Sequence, residues 1–467
     1  MADVKTDFRP LSLLVGSAFF MEQLDSTIIA PAVPQIARAL GVDALSLDLS
    51  MTVYLLCSVI FIPLSGVLAG KWGTRSIFRF SLLMFVLSSA VCGVADNLPT
   101  LIAARAVQGF SGALMVPVGR IAIVRTAPRA ALVAALAWMI TPAMLGPLFG
   151  PPLGGLIATY ASWRWIFWLN IPVGLAGCLL AKRFVPQIVD EDDMPFNPRE
   201  WATLSVALAA LVAMLEMVRH RELPAVAYLA LGAAFALSTA AHVVFARRSA
   251  SPLLDFGLLR SRTFSTSFWA GSLVRVGYGA VPFLLPLMLQ IGLGYSAVES
   301  GAVLLASGAI AFVTKTQTTG LLRRFGFRNV LIVNGVLCSA ALIACAAFRA
   351  DWGFTLIAVI VSAGGFSRSV QFNALAAIAY ADLPASKVSP ATTLNTAAQQ
   401  LAVMLGISVA TVIVDLSAQT GMRAQPSAID FAHAFALIGC VAMSSVPFCL
   451  RLSARAGAEL SGQAAGR

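Results

Sequence analysis

Fourteen stretches of about twenty mostly apolar residues, each long enough to cross a bilayer as a helix, limit what this chain can fold into. They fall near 11–33, 47–69, 77–95, 100–124, 131–158, 164–181, 201–218 and 225–246, then near 264–290, 299–321, 328–348, 352–380, 391–415 and 431–450. Of the 467 residues 59% are hydrophobic and 11% charged, with a mean hydropathy of +0.85. Soluble domains are about one quarter charged, so a water-soluble globule of this composition would lack polar surface for its core. Soluble enzymes, nucleic-acid binders and disordered chains are poor fits despite a formal charge of +11. The sequence predicts an all-α polytopic membrane protein.

The first stretch follows Lys5 and Arg9 and superficially suggests a signal peptide. It runs past a normal h-region and carries Glu22 and Asp25, so it reads as a retained helix. The seven cysteines stand singly in apolar segments, which indicates neither a disulfide framework nor a zinc site. No metal and no cofactor are expected.

Basic residues test the count, because cytoplasmic loops are enriched in Lys and Arg. With both termini cytoplasmic, 21 of the 32 basic residues, among them Lys5, Arg129, Arg455 and Arg467, lie on that side. Six, including Arg221, lie on the other, and missing one span would spoil the split. The five left inside spans are Arg105, Arg120, Arg275, Lys315 and Arg368.

An internal repeat divides the chain. GVLAGKWGTR (Gly66 to Arg75) follows the second span and TGLLRRFGFR (Thr319 to Arg328) follows the tenth. At a constant offset of 253, Leu68 matches Leu321, Lys71 matches Arg324, Gly73 matches Gly326 and Arg75 matches Arg328. This predicts two related six-helix bundles, 1–182 and 263–467, separated by 183–262 with linkers and two inserted helices. Paired repeats around a midplane site are the architecture of rocking transporters.

Several longer motifs carry a family resemblance. LDSTIIAPAVPQIA (Leu24 to Ala37), RAVQGFSGA (Arg105 to Ala113), GPLFGPPLGG (Gly146 to Gly155) and WRWIFWLNIPVG (Trp163 to Gly174) together resemble the fourteen-helix drug:proton antiporters of the major facilitator superfamily. FLLPLMLQIGLGYSA (Phe283 to Ala297) and the Gln399–Gln400 pair look most like the MdtD-type multidrug permeases of that family. The resemblance implies a major facilitator fold, proton-coupled export by alternating access and an inner-membrane location. It places Asp25 at the acidic motif position, makes Arg105 the membrane-embedded arginine, and links the glycine–proline run to exporters. One departure matters. The family's basic loop usually reads GxLADRxGRK, whose aspartate helps latch the cytoplasmic gate; Gly70 stands there, and Arg323 in the repeat. Gly66 and Gly73 preserve the loop's punctuation beside Arg75, but the carboxylate latch does not carry over.

An ionisable group near the bilayer centre costs at least ~2.5–3.5 kcal/mol, so it faces a partner or a wet cavity. Glu22 and Asp25 are three residues apart, hence on one helix face about a turn apart. Two neighbouring carboxylates in a low-dielectric site do not both stay charged easily, and proton coupling needs a group that loads and releases. Asp25 is the first choice and Glu22 the second. The alternative for either is a fixed ion pair to an arginine such as Arg105, which lies beside Gln108.

Arg275 and Arg368 fall near mid-depth, where substrate binding competes with interhelical pairing. Gln108, Arg120 and Lys315 are further candidate substrate contacts, although the last two lie nearer span ends, where snorkelling explains them about as well. Gln290, Gln371 and Asn373, with Gln317 and Asn395, could hydrogen-bond a substrate or stitch helices together. Five embedded bases against two central acids favour a small organic anion, such as a citrate-like or metal-chelate species. Broad multidrug:proton efflux is the alternative, and an uncoupled uniporter or channel a remoter one. Gly146, Gly150, Pro151, Gly154 and Gly155, with Pro147 and Pro152, predict a bent, tightly packed seam in the fifth span.

Weaker signals complete the reading. The acidic stretch Val189 to Glu200 reads as a cytoplasmic linker, and Arg247–Arg248 with SPLLDFGLLRSR as an interfacial one meeting anionic lipid. Trp163, Trp165 and Trp168 suggest an interfacial belt, and His220, His242 and His433 form no cluster. No Walker loop, HExxH or GxSxG occurs, so no enzymatic chemistry is expected. The expected partners are a small-molecule substrate, protons and membrane lipid, without nucleic acid, around a monomer.

Overall fold

The computed structural model describes residues 8–128, 131–189, 196–219, 224–249, 252–423, 425–453 and 456–458. Lys5, Arg129, Arg221, Arg455, Arg467, His220 and the acidic run Asp190 to Asp193 lie outside the described residues. Lipid offers the backbone no hydrogen-bond partners, so only helices or closed barrels can cross it. Among the described residues there are helices and turns and no strand.

Fourteen helical segments have the length and apolarity to span a membrane. In the first half they are α1 (Arg9–Leu40), α2 (Ala44–Trp72), α3 (Thr74–Val94), α4 (Leu98–Thr126), α5 (Ala134–Tyr160) and α6 (Trp165–Phe184). Then follow α7 (Pro198–Val218), α8 (Ala225–Arg248), α9 (Arg262–Gly292), α12 (Phe354–Ile378), α13 (Pro390–Thr420) and α14 (Ala428–Leu450). Between α9 and α12, α10 (Ala297–Lys315) and α11 (Gln317–Cys345) share one helical stretch, whose backbone leaves helical geometry at Gly326. The chain is therefore a multi-pass membrane protein, with every expected span present.

The first helix runs beyond the expected 11–33. Pro31 tightens α1 into a 3-10 turn at Ala30–Ala32, and the helix continues to Leu40. Gly73 (φ +86°, ψ 146°) and Gly326 (φ +75°, ψ 161°) share a conformation open almost only to glycine, and they occupy matched positions of the repeat. The repeat is therefore one of backbone geometry as well as of letters.

Tertiary contacts group the chain into two units, Met1–Pro198 and Arg199–Arg467, so the inserted helices fall with the second. In the first unit Leu14, Val15 and Ala18 of α1, Phe78, Leu82 and Phe85 of α3, and Leu114, Met115 and Val118 of α4 form one buried cluster. In the second unit α9 is the central helix: 78% of its most apolar stretch is buried, against 6% for α8. Leu229 and Leu237 accordingly point outward from α8, as lipid-facing residues do. The tryptophan belt needs a correction. Trp165 is exposed, but Trp163 is buried beneath the Arg164 guanidinium (4.6 Å to the ring), and Trp168 lies against Gly93, because this turn folds back onto α3.

Candidate functional site

In the first unit α1, α3, α4 and α6 bring one polar cluster into an apolar interior. Asp25 is fully buried and accepts three side-chain donors. Arg105 Nη1 reaches its Oδ2 in a short ion pair, while Asn170 Nδ2 (2.8 Å) and Gln108 Nε2 (3.3 Å) reach its Oδ1. Arg105 Nη1 also donates to Gln108 Oε1 (2.8 Å), and Gln108 Nε2 to Ser89 Oγ (2.8 Å). The guanidinium lies over the Tyr54 ring at 4.4 Å from its centroid. A buried charge is tolerable only when paired and hydrogen-bonded on its remaining positions, and Asp25 meets that condition.

Glu22 is situated differently. Its Oε2 is shielded and has no hydrogen-bond partner among the described residues, and the same holds for Tyr54 Oη and Arg105 Nε. Buried polar groups are nearly always satisfied, so three orphans around one ion pair mark a place for water, protons or ligand. Gly109 and Gly112 explain the motif around Arg105. A Cβ at Gly112 would sit 3.1 Å from Glu22 Oε1, and one at Gly109 would run into the Tyr54 carbonyl. Both glycines admit α1 or α2 close to α4.

The sequence reading thus assembled Glu22, Asp25, Arg105 and Gln108 but missed Asn170, Ser89 and Tyr54. Asn170 was legible as the lone amide within the apolar α6. Ser89 and Tyr54 carried no periodic signal, because serine and tyrosine are commonplace in such helices.

The glycine seam is a contact between α5 and α1. A Cβ at Gly146 would lie 2.8 Å from the Leu24 backbone nitrogen, at Gly150 it would strike Thr27, and at Gly154 the Ile28 carbonyl. Thr27 Oγ1 also donates to the Gly146 carbonyl (3.4 Å). Pro151 and Gly155 are buried in the same helix. The seam therefore lies on the helix that carries Asp25.

At the loop that lacks the aspartate, a different tie is present. Arg75 Nε donates to the Val185 carbonyl (2.6 Å) and Thr74 Oγ1 to the Pro186 carbonyl (2.6 Å). Gln187 Nε2 reaches the Trp72 carbonyl and Ser76 Oγ (both 3.0 Å), while its Oε1 accepts from Ser76 N (3.2 Å). The segment after α6 thus straps the α2–α3 turn. Gly66 and Gly70 border a nearby cavity of about 210 Å³ with Arg120, which is exposed.

In the second unit Arg275 of α9 and Arg368 of α12 meet across a pair of rings. Arg275 lies 4.5 Å over Phe372 and donates to its own Gly271 carbonyl (3.2 Å), and Arg368 lies 5.9 Å from the Tyr278 centroid. Tyr278 and Phe372 pack edge to face at 6.3 Å. Neither arginine meets a carboxylate among the described residues. The amides are more structural. Gln371 is buried and bonded to Asn334 (3.1 Å) and the Leu331 carbonyl (3.3 Å), Gln290 to Ser300 Oγ (3.1 Å), and Asn373 to Ser369 Oγ (3.5 Å). Lys315 is exposed on its helix, as a snorkelling residue would be.

A model of the Major Facilitator Superfamily matches residues 15–407. MdtD of Pectobacterium atrosepticum, named for multidrug resistance, is 31% identical over 436 residues, covering 93% of each chain. The protein of that name in Cronobacter sakazakii is 33% identical over 411 residues, or 88% of this chain and 87% of its own. In fold, the chain resembles a D-xylose–proton symporter (TM-score 0.66, 15% identity, 95% of this chain and 97% of that one). It also resembles a bacterial homologue of the lysosomal transporter Spinster in an inward-facing, unoccupied conformation (TM-score 0.65, 14% identity, 98% of each). Spans, fold and relatives agree, and the chain belongs to the major facilitator superfamily as a secondary transporter rather than an enzyme.

Proposed function

We propose that this transporter is a proton-coupled multidrug exporter working by alternating access. In this reading it sits as a monomer in a bacterial inner membrane with both termini cytoplasmic. The observation that carries the reading is the fully donated Asp25 beside the unpartnered Glu22 Oε2, about one turn away on the same helix. Asp25 is committed to Arg105, Gln108 and Asn170, so we assign proton uptake and release to Glu22, whose Oε2 has no partner among the described residues. Asp25 and Arg105 set that environment, and the α5 seam transmits movement to α1. The names of the MdtD relatives support multidrug substrates, and the excess of basic residues in loops on one side supports the orientation.

A second reading rests on Arg275 and Arg368. Two guanidiniums held on rings and unpaired with acid suit a substrate that carries an anionic group as well as an aromatic one. Nothing in the site or the relatives selects a citrate-like or metal-chelate species, and that narrower expectation is dropped.

The test is flux in proteoliposomes with ethidium as probe and an imposed pH gradient. Wild type should concentrate the dye, collapse of the gradient should stop it, and Glu22→Gln should uncouple it while the protein still melts normally. Dye movement indifferent to the gradient would point to a uniporter instead. Intact coupling in both Glu22→Gln and Asp25→Asn would remove the proton assignment.

A further inference from the structure

The second unit carries a basic pocket that the transport mechanism does not use. Arg260, Arg262 and Arg451 converge on a cavity of about 430 Å³ whose wall also includes Ser265, Thr266 and Phe448. Arg262 is the first residue of α9 and Arg451 directly follows the last residue of α14, so the cavity lies where one span begins and another ends. All three arginines are exposed, and none gives a side-chain hydrogen bond or ion pair to another described residue. The nearest acid in sequence, Asp255, is already taken by Lys387 (2.9 Å) and the Gly257 amide (3.1 Å).

The rest of the wall has the character of a membrane boundary. The Arg451 guanidinium lies over the Phe448 ring (5.1 Å to its centroid), and its N–H groups give no side-chain hydrogen bond to another described residue. Phe448 stacks on Trp269 at 6.4 Å and 25°, and Trp269 is 45% exposed, two turns into α9 from Arg262. Thr266 Oγ1 donates to the Phe448 carbonyl (3.5 Å) and fixes α9 against the end of α14. Guanidiniums at the rim, a hydroxyl beside them and an exposed aromatic face below match an amphiphile with a phosphate head and an apolar tail.

We infer that this pocket binds the phosphodiester headgroup of an anionic membrane phospholipid. Planar guanidiniums grip phosphate oxygens through paired donors, and basic pockets between spans at the membrane edge recruit such headgroups. The tail would run along Trp269. The site is independent of the proton and substrate residues and stands whichever substrate is exported.

The experiment is native mass spectrometry of the full chain released from membranes of phosphatidylglycerol and phosphatidylcholine. Wild type should retain phosphatidylglycerol selectively. The Arg260→Gln/Arg262→Gln/Arg451→Gln variant should lose it, by about fivefold for each arginine removed. Lys182→Gln/Arg183→Gln, an exposed basic pair at the end of α6 and outside the pocket, should retain it. Equal loss in that control would show general surface attraction and overturn the site, as would full retention in the triple variant. Added inorganic phosphate separates the sources. Displacement of lipid only at large excess supports a headgroup site, whereas phosphate that raises the melting temperature without lipid and displaces it readily would make this a free-anion site. If the triple variant does not fold, Arg260→Gln and Arg262→Gln singly carry the same comparison.

Discussion

Arg105 closes on Asp25 in a buried ion pair that draws Gln108 and Asn170 into the same cluster. Breaking one side of such a pair strands the other charge, at a cost of about 3–5 kcal/mol. Arg105→Gln should therefore destabilise strongly. Asp25→Asn/Arg105→Gln should recover much of the loss, since neutral amides can still hydrogen-bond Gln108 and Asn170. Melting curves of the two singles and the double, read as a double-mutant cycle, check this. Additive losses would mean that the two side chains do not act as a pair.

The seam between α5 and α1 gives a graded prediction. At Gly154 an added methyl meets backbone, the Ile28 carbonyl, whereas at Gly150 it first meets the Thr27 side chain. A side chain can turn aside and a carbonyl inside a helix cannot. Gly154→Ala should thus cost more stability than Gly150→Ala, within the about 1–3 kcal/mol typical of overpacking. Gly320, with nothing within 4 Å of its virtual Cβ, is the control and should tolerate alanine. Thermal melts of the three in one detergent rank them, and a reversed order would refute the account.

Much of this was legible in the sequence because a membrane simplifies the code. Apolar length alone located the spans, and residues that are expensive in lipid, Glu22, Asp25 and Arg105, marked the buried polar cluster by being there at all. What escaped were relations set by tertiary packing. Thr27 and Tyr54 look ordinary until α5 or α4 is laid against them. The charge surplus drew attention to Arg275 and Arg368, but it could not show that their neighbours are rings rather than acids. The missing aspartate at Gly70 was visible, yet the strap from Val185 to Ile188 that ties the turn was not, since its bonds go mostly to backbone and have no residue signature.

That strap is testable through Gly73. With φ +86° it occupies backbone space that alanine enters only with strain of about 1–3 kcal/mol, and the Gln187 amide lies directly against it. Gly73→Ala should destabilise both by strain and by expelling Gln187. Gln187→Ala should lose only the bonds to Trp72 and Ser76. In the double variant the collision is gone, so its loss should be smaller than the sum of the singles. Gly326→Ala, at the matched turn with φ +75°, should carry the same backbone strain. Melting temperatures of the four variants decide the matter.

Arg275 and Arg368 offer the sharpest test of substrate charge. Each guanidinium lies on an aromatic ring from the opposite helix, Phe372 for one and Tyr278 for the other. If they grip an anionic group, Arg275→Ala/Arg368→Ala removes charged hydrogen bonds worth about 1.5–3 kcal/mol each. Anionic substrates should then lose ten- to hundredfold or more in apparent affinity, about one decade for each 1.4 kcal/mol. Ethidium flux should hardly change. Phe372→Leu should weaken anion transport less, because it frees the Arg275 side chain without deleting its charge, and Arg275→Lys should fall between, keeping charge but not the planar fork. The measurement is paired flux of an anionic and a cationic probe through the same proteoliposomes. Equal losses for both probes would mark these arginines as helix pairing, and unchanged anion flux would leave the multidrug reading alone.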